Sequence, residues 1–121
     1  MINIIAVFIG GGLGSLARFG ISIFIFDKFK TIFPLATLIS NALSCFILAV
    51  AILFFGDRLG INTNLRMLVL TGFCGGFSTF SAFSFETVEL FRSGNTLYGL
   101  ANILMSVGLC IVLILLLTKN N

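Results

Sequence analysis

The stretch Gly72–Glu86, GFCGGFSTFSAFSFE, determines how the whole chain is interpreted. It lies within the third of four apolar segments, where a helix facing only lipid would carry Leu and Val. Gly72, Gly75 and Gly76 free the backbone to leave the helix, because glycine lacks a Cβ and costs about 1 kcal/mol relative to alanine in a helix interior. The stretch therefore predicts a transmembrane helix that is broken in mid-membrane.

Two hydroxyl residues follow these glycines and can begin a second half-helix. Ser78 and Thr79 are able to cap it by accepting hydrogen bonds from its free N–H groups. Inside a membrane, a broken helix is tolerated only where it is buried in protein or lines a cavity. Its unpaired carbonyl and amide groups are suitable ion ligands, as in transporters built on discontinuous helices. We therefore predict an ion site at the break.

The composition excludes several other classes of protein. A chain of 121 residues fits one domain, and 59% hydrophobic with only 9% charged residues excludes a soluble domain. The absence of histidine removes the usual general base near neutral pH and the imidazole metal ligand. A net charge of +3, scattered among loops, argues against a nucleic-acid partner. The three cysteines occur singly in apolar segments and are interpreted as small buried apolar residues.

Hydropathy predicts four spans in a single domain, each near the roughly 20 residues that cross a bilayer. These spans cover about residues 2–26, 34–55, 65–91 and 97–118. Gly10 and Gly14 form a G-x-x-x-G pair, which predicts close packing of the first helix against protein. Thr37, Asn41 and Ser44 share one face of the second helix. Such a polar stripe either joins helices by hydrogen bonds or lines a path, and beside a broken helix we favour the path.

The basic residues predict an unusual orientation. With four spans, one membrane face receives Arg58, Arg66 and Lys119, and the opposite face receives Lys28, Lys30 and Arg92. The positive-inside rule sets orientation from a bias of Lys and Arg, and these two sets are equal. We therefore expect the chain to insert in both orientations. Chains inserted both ways can pair as an antiparallel, dual-topology homodimer, since closed two-fold assemblies are the commonest kind.

Depth along the helices can be counted from the loops at about 1.5 Å per residue. This count places Asn41, Phe83 and Ser106 within ~3 Å of one another in depth, on three different helices. Phe80 lies on the same helical face as Phe83, next to the hydroxyl of Ser81. A phenylalanine edge is weakly positive and can face an anion. With neutral amide and hydroxyl donors, these rings predict a path for a small anion, which a fixed cation would hold too tightly for conduction.

Arg18 is expected to snorkel to the membrane surface or to find a partner, since an unpaired arginine in lipid costs at least ~2.5 kcal/mol. The same count of depth places Arg18 and Glu86 within ~5 Å, so a structural ion pair between them is predicted.

Gly72–Glu86 resembles the long third-helix motif of the Fluc (CrcB) family of small bacterial fluoride channels. Gly10–Arg18, GGGLGSLAR, is similar to the family's first-helix motif, and Pro34–Asn41, PLATLISN, is similar to its second-helix motif. Ser106 falls where the fourth helix usually carries serine, so the resemblance covers nearly the whole chain. The departures from the family pattern are Ala36, Ser78, Ala82, Asn102 and Cys110. The last three of these alter the polar track along the third and fourth helices.

The resemblance implies an antiparallel dimer with two fluoride pores and one central sodium ion. It implies that Phe80 and Phe83 face fluoride, that Asn41 is the pore amide, and that the backbone carbonyls of Gly75 and Ser78 from both chains hold the sodium. Thr37, Ser81 and Ser106 complete the expected pore. The implied role is passive leak of fluoride out of the cell across the bacterial inner membrane, without catalysis.

Two other functions remain as alternatives. A small multidrug-type, proton-coupled exchanger is also a four-helix, dual-topology dimer, but it would need a carboxylate within its first helix, and the first span has none. A non-transporting assembly subunit would explain the packing glycines, but it would not explain a layer formed by Asn41, Phe80 and Phe83.

Overall fold

The computed structural model describes residues 2–55 and 63–119, and this part of the chain is helical, without strands. Most of the second loop, including Arg58, lies outside the described residues. The elements are α1 (Ile2–Lys28), α2 (Leu35–Phe55), α3 (Thr63–Arg66), a π-helical segment (Met67–Cys74), α4 (Gly75–Phe77), α5 (Phe80–Arg92) and α6 (Thr96–Thr118).

Among residues 2–55 and 63–119, four helical stretches are long and apolar enough to cross a membrane. They are Ile2–Lys28, Leu35–Phe55, Thr63–Arg92 and Thr96–Thr118. The third stretch is composite, since it contains α3, the π-helical segment, α4 and α5 in succession. The prediction of an all-α chain with four apolar helices able to span a membrane is therefore confirmed.

Short connections join the first span to the second and the third span to the fourth. Pro34 precedes α2, where its fixed φ suits a helix start, and its carbonyl accepts a hydrogen bond from the Leu38 amide at 3.1 Å. Gly94, with φ of 85°, ends the third span in a left-handed conformation that favours glycine. The Asn95 amide then donates to the Leu90 carbonyl at 2.8 Å and closes the turn. The spans consequently alternate in direction, and α2 and α6 run parallel to each other.

The first helix packs closely on the π-helical segment and α4 through glycines on both sides. A Cβ on Gly10 would clash with the Leu68 carbonyl oxygen, and a Cβ on Gly76 would clash with the Gly11 carbonyl oxygen. Small residues that bring two backbones together are typical of helix pairs in membranes. The interpretation of the G-x-x-x-G pair as a packing motif is therefore confirmed.

We expect Gly14→Ala to lower the free energy of unfolding by about 1–3 kcal/mol, the cost typical of overpacking. A Cβ on Gly14 would meet the Phe73 carbonyl oxygen and lie 2.8 Å from the Phe77 nitrogen, and backbone atoms cannot rotate away. Gly20→Ala in the same helix is the matched control, because nothing lies within 4 Å of its added Cβ. Thermal unfolding of both purified variants tests this, and equal shifts would contradict the packing argument.

Behind this contact, α2 packs against α6, and α5 packs against α6 and α2. The two halves of the third span therefore have different neighbours. The π-helical segment and α4 lie mainly on α1, whereas α5 lies mainly on α6.

Candidate functional site

The third span is interrupted at Ser78 and Thr79. Ser78 has φ −86° and ψ 159°, and Thr79 has φ −153° and ψ 121°, so both are extended and separate α4 from α5. The prediction that glycines break the helix here is wrong. Gly75 is helical, with φ −64° and ψ −37°, and Gly76 lies within α4. Extended backbone is open to any residue, and Gly76 instead makes room for α1.

Side-chain hydroxyls satisfy the backbone on both sides of the interruption. The Thr79 Oγ1 accepts a hydrogen bond from the Ala82 amide at 3.2 Å, which caps α5 as predicted. Ser78 acts on the other side, because its Oγ donates to the Cys74 carbonyl at 2.9 Å. Ser44, from the polar stripe of α2, donates to the same carbonyl at 2.9 Å. One hydroxyl therefore begins the second half-helix, and two others close the first.

Asn41 fixes the interruption from the neighbouring helix. Its Oδ1 accepts a hydrogen bond from the Thr79 amide at 2.8 Å, and its Nδ2 donates to the Thr79 carbonyl at 3.3 Å. One side-chain amide thus binds both polar backbone groups of an extended residue. The second Nδ2 hydrogen is not needed for this contact, so Asn41 keeps a donor for a ligand.

The hydrogen bonds around Thr79 leave the carbonyl oxygens of Gly75 and Ser78 without the amide donors they would have in a continuous helix. In a continuous helix the Thr79 amide would donate to the Gly75 carbonyl, and the Ala82 amide would donate to the Ser78 carbonyl. Here the Thr79 amide donates to Asn41 and the Ala82 amide donates to the Thr79 hydroxyl. The carbonyls of Gly75 and Ser78 are therefore free to bind another donor or a cation. No group of three or more His, Cys, Asp or Glu side chains able to hold a metal occurs among residues 2–55 and 63–119.

Arg18 contacts the interruption rather than Glu86. Its Nε donates to the Gly76 carbonyl at 3.2 Å, and a cation at the C-terminal end of a helix is favourable. Within the described part of one chain, the ion pair formed is Arg92 with Glu89, at 3.7 Å. The predicted Arg18–Glu86 pair is thus not found in the chain, because α1 packs on the π-helical segment and α4, not on α5.

A groove of about 280 Å³ opens beside the interruption. Its walls are Asn41 and Cys45 of α2, Ser78 and Thr79 of the interruption, Phe80 and Phe83 of α5, and Ser106, Val107, Cys110 and Ile111 of α6. We call it the α2–α6 groove. None of these side chains carries a formal charge. Four of the six predicted pore residues, Asn41, Phe80, Phe83 and Ser106, are brought together here.

The two phenylalanine rings of the groove have different exposures. Their centroids are 5.7 Å apart with an interplanar angle of 46°. Phe83 is 8% exposed, whereas Phe80 at the start of α5 is 77% exposed in the single chain. Phe83 therefore forms part of the groove wall, and the ring of Phe80 projects from its edge.

A chain of buried hydrogen bonds supports the wall on which Ser106 lies. The Ser106 Oγ donates to the Asn102 Oδ1 at 3.1 Å, and the Asn102 Nδ2 donates to the Thr87 Oγ1 at 2.9 Å. The Thr87 hydroxyl in turn donates to the Phe83 carbonyl at 2.8 Å. Thr87 is not among the residues predicted from the sequence to line the pore. Its position four residues after Phe83 was the available signal, because threonine in a helix often donates to the carbonyl at i−4.

Two predicted pore residues, Thr37 and Ser81, do not line the α2–α6 groove. Ser81 is exposed, and its hydroxyl shares a hydrogen bond with the Thr79 hydroxyl at 3.1 Å. Thr37 lies beside the carboxyl group of Glu86, one turn before Asn41 along α2. A second, larger cavity of about 500 Å³ contains Glu86 and Glu89 at the end of α5. Ser81 therefore lies next to the groove residue Thr79, and Thr37 lies next to Glu86.

Four helices able to span a membrane define the chain as a multi-pass membrane protein. The family model described as "CrcB-like protein, Camphor Resistance (CrcB)" matches residues 5–117, so the chain belongs to this family. The resemblance stated from the motifs is thereby confirmed.

Curated relatives agree with this family over nearly their whole length. A protein of Serratia proteamaculans named "Fluoride-specific ion channel FluC" is 40% identical over 114 residues, 94% of this chain and 89% of its own. A protein of the same name from Ruminiclostridium cellulolyticum is 39% identical over 111 residues, 92% of this chain and 85% of its own. One from Pyrococcus abyssi is 46% identical over 110 residues, 89% of this chain and 86% of its own. These relatives are named as ion channels, which confirms the prediction that the chain is not an enzyme.

Proposed function

We propose that this protein is a fluoride-selective ion channel that passively exports cytoplasmic fluoride across the bacterial inner membrane. The observation that carries the proposal is the α2–α6 groove, where Asn41, two phenylalanine rings and Ser106 meet without any charged side chain. Fluoride is small and strongly hydrated, so it needs donors that replace its water. Neutral donors and ring edges bind it weakly enough to release it, as conduction requires. The names of the relatives support the same ion.

The donors available to an anion are the polar side chains around Thr79. Asn41 retains one Nδ2 hydrogen after binding the Thr79 carbonyl. The hydroxyls of Thr79 and Ser81 share a hydrogen bond, so one of the two can turn its proton outward. Ser106 donates to Asn102, so it presents oxygen lone pairs to the groove unless its hydroxyl rotates. Asn41 is therefore the principal donor in the proposed pathway.

The assembly that we propose is an antiparallel, dual-topology homodimer with two pores, in which the interruption lies in mid-membrane. The equal numbers of basic residues on the two sides support both orientations. The 77% exposure of Phe80 supports a second copy, because a pore-lining ring must be covered from its other side. An epitope tag at the C-terminus is expected to be accessible from both sides of the membrane. Accessibility from one side only would exclude this assembly.

A structural sodium ion at the centre of the dimer completes the proposal. The carbonyls of Gly75 and Ser78 have lost their helical donors, and unwound backbone carbonyls are typical sodium ligands in membrane proteins. Gly75 is exposed in the single chain, so a symmetry-related copy can approach it. Replacing sodium with N-methylglucamine is expected to lower the thermal stability of the purified dimer. If the thermal stability is unchanged, the proposal that sodium is part of the assembly is contradicted.

Ion efflux from liposomes that contain the purified protein tests the function. We expect rapid fluoride release, measured with a fluoride electrode, and no chloride release, measured with a chloride electrode. Protein-free liposomes give the background rate. A folded dimer that releases no fluoride would overturn the proposal, and equal release of both anions would overturn its selectivity.

The proton-coupled exchanger is the weaker alternative. The acidic residue of α1, Asp27, lies in its last turn, and the carboxylates of α5, Glu86 and Glu89, lie beyond the groove. An exchanger would couple flux to a pH gradient, so fluoride efflux that is independent of an imposed pH gradient would argue against it.

A further inference from the structure

Two thiols lie in the wall of the α2–α6 groove. Cys45 of α2 and Cys110 of α6 are both part of its wall and both partly exposed. The two helices pack directly against each other, so both thiols border one cavity of about 280 Å³. The third cysteine, Cys74, is buried at 4% exposure and is not part of the groove. The described residues therefore include two partly exposed thiols that share one groove and one buried thiol outside it.

The position of the pair follows from the helical repeat. Cys45 lies four residues after Asn41 on α2, and Cys110 lies four residues after Ser106 on α6. Since α2 and α6 run in the same direction and pack together, both thiols are displaced the same way, by one turn or about 6 Å, from the layer of Asn41 and Ser106. The pair therefore occupies the level of the groove next to that layer.

We infer that Cys45 and Cys110 form a dithiol site for thiophilic species that bond two sulfurs, such as trivalent arsenicals and the mercuric ion. Soft thiolate ligands select soft metal ions, and a linear or pyramidal two-sulfur complex needs no third protein ligand. The otherwise apolar wall of Val107 and Ile111 suits an arsenical with an aromatic substituent. Cys74 is buried and lies outside the groove, so it is not part of the site.

The bonding step involves no oxidation or reduction. Phenylarsine oxide reacts with two thiols to form two As–S bonds, and its oxygen leaves as water together with the two thiol protons. The mercuric ion forms two Hg–S bonds and releases both protons to solvent. In each case one group links α2 to α6.

The occupied site is expected to obstruct the groove, and this consequence rests on the proposed function. An arsenical on the pair lies about one helical turn from the Asn41 layer, within a cavity of about 280 Å³. Its phenyl group fills a large part of this space. Fluoride efflux should therefore fall to background when the dithiol is occupied, and a competing dithiol such as 2,3-dimercaptopropanol should restore it.

The experiment combines two readouts on the purified, detergent-solubilised dimer and on proteoliposomes. Intact-mass spectrometry after treatment with phenylarsine oxide and removal of excess reagent counts arsenicals per chain. Efflux of fluoride from proteoliposomes is measured before and after the reagent, and each variant is compared with its own untreated rate. The variants are Cys45→Ala, Cys110→Ala and, as the matched control, Cys74→Ala. Cys45→Ser and Cys110→Ser replace the alanine variants if these do not elute as folded dimers.

The expected result is one arsenical per chain in the unmodified protein and in Cys74→Ala, and none in Cys45→Ala or Cys110→Ala. Inhibition of efflux should follow the same pattern and be reversed by the dithiol. Equal arsenical binding in all variants, or none in the unmodified protein, would overturn the site. Stoichiometric binding that leaves fluoride efflux unchanged would overturn its placement in the ion path. If the untreated protein releases no fluoride but the mass result holds, the proposed function fails and the dithiol site stands.

Discussion

Asn41→Asp is expected to reduce fluoride efflux by about a hundredfold while the protein still folds as a dimer. The carboxylate keeps the hydrogen bond from the Thr79 amide, but it cannot donate to the Thr79 carbonyl or to an anion. It also adds a negative charge to a groove whose walls carry none. A charge within the membrane costs roughly 2.5–3.5 kcal/mol, and each 1.4 kcal/mol corresponds to a tenfold change. Efflux from proteoliposomes measures the loss.

Asn95→Asp is the control for the added charge. Asn95 precedes α6 outside the groove, and its side chain donates to the exposed Ser93 hydroxyl at 2.9 Å. A carboxylate there is favourable at a helix N-terminus, so this variant should conduct nearly as the unmodified protein does. If both variants lose activity equally, the total charge of the chain matters and the amide of Asn41 does not. If neither loses activity, Asn41 has no part in the pathway.

The apolar spans could be predicted from the sequence because their length and hydropathy depend on no other part of the chain. A membrane-crossing helix satisfies its own backbone hydrogen bonds, so each apolar stretch of sufficient length is already a complete element. The layer of Asn41, Phe83 and Ser106 could also be predicted, because helical rise is constant and depth can be counted along each helix. All three residues do meet in the α2–α6 groove.

The direction in which each helix face points could not be predicted from depth. Arg18 and Glu86 lie at similar counted depths, but α1 turns Arg18 toward the Gly76 carbonyl, and Glu86 lies next to Thr37. Rise along a helix says nothing about rotation around it, which depends on packing. The close approach of α1 to α4 fixes that rotation through Gly76 and its neighbours.

The interruption shows how a motif can be correct while its mechanism is assigned to the wrong residues. The hydroxyls of Ser78 and Thr79 do terminate and begin the two half-helices. The glycines before them remain helical. Gly72 and Gly76 instead allow α1 to pack closely, since a Cβ on either would meet backbone atoms of α1. The hydrogen bond from Asn102 to Thr87 spans 15 residues in sequence, so no local pattern indicated it.

Phe80→Ile is expected to lower fluoride efflux by about two- to tenfold while the subunit still folds. Isoleucine retains apolar bulk, but it removes the positive ring edge that an anion can face. Interactions of aromatic rings are worth about 0.5–1.5 kcal/mol beyond the area they bury, and 1.4 kcal/mol corresponds to a tenfold change. The ring is 77% exposed in one chain, so its replacement removes little packing within the subunit. Efflux rate and thermal unfolding of the same preparation separate the two effects.

Phe85→Ile provides the matched comparison on the same helix. Phe85 is 65% exposed and is part of the second cavity, beside Glu86, rather than of the α2–α6 groove. The same loss of ring area at this position should leave fluoride efflux near its original rate. Equal losses in the two variants would mean that aromatic bulk on α5 is needed for assembly, not for the ion. A Phe80→Ile dimer with full activity would show that fluoride takes a path that does not pass this ring.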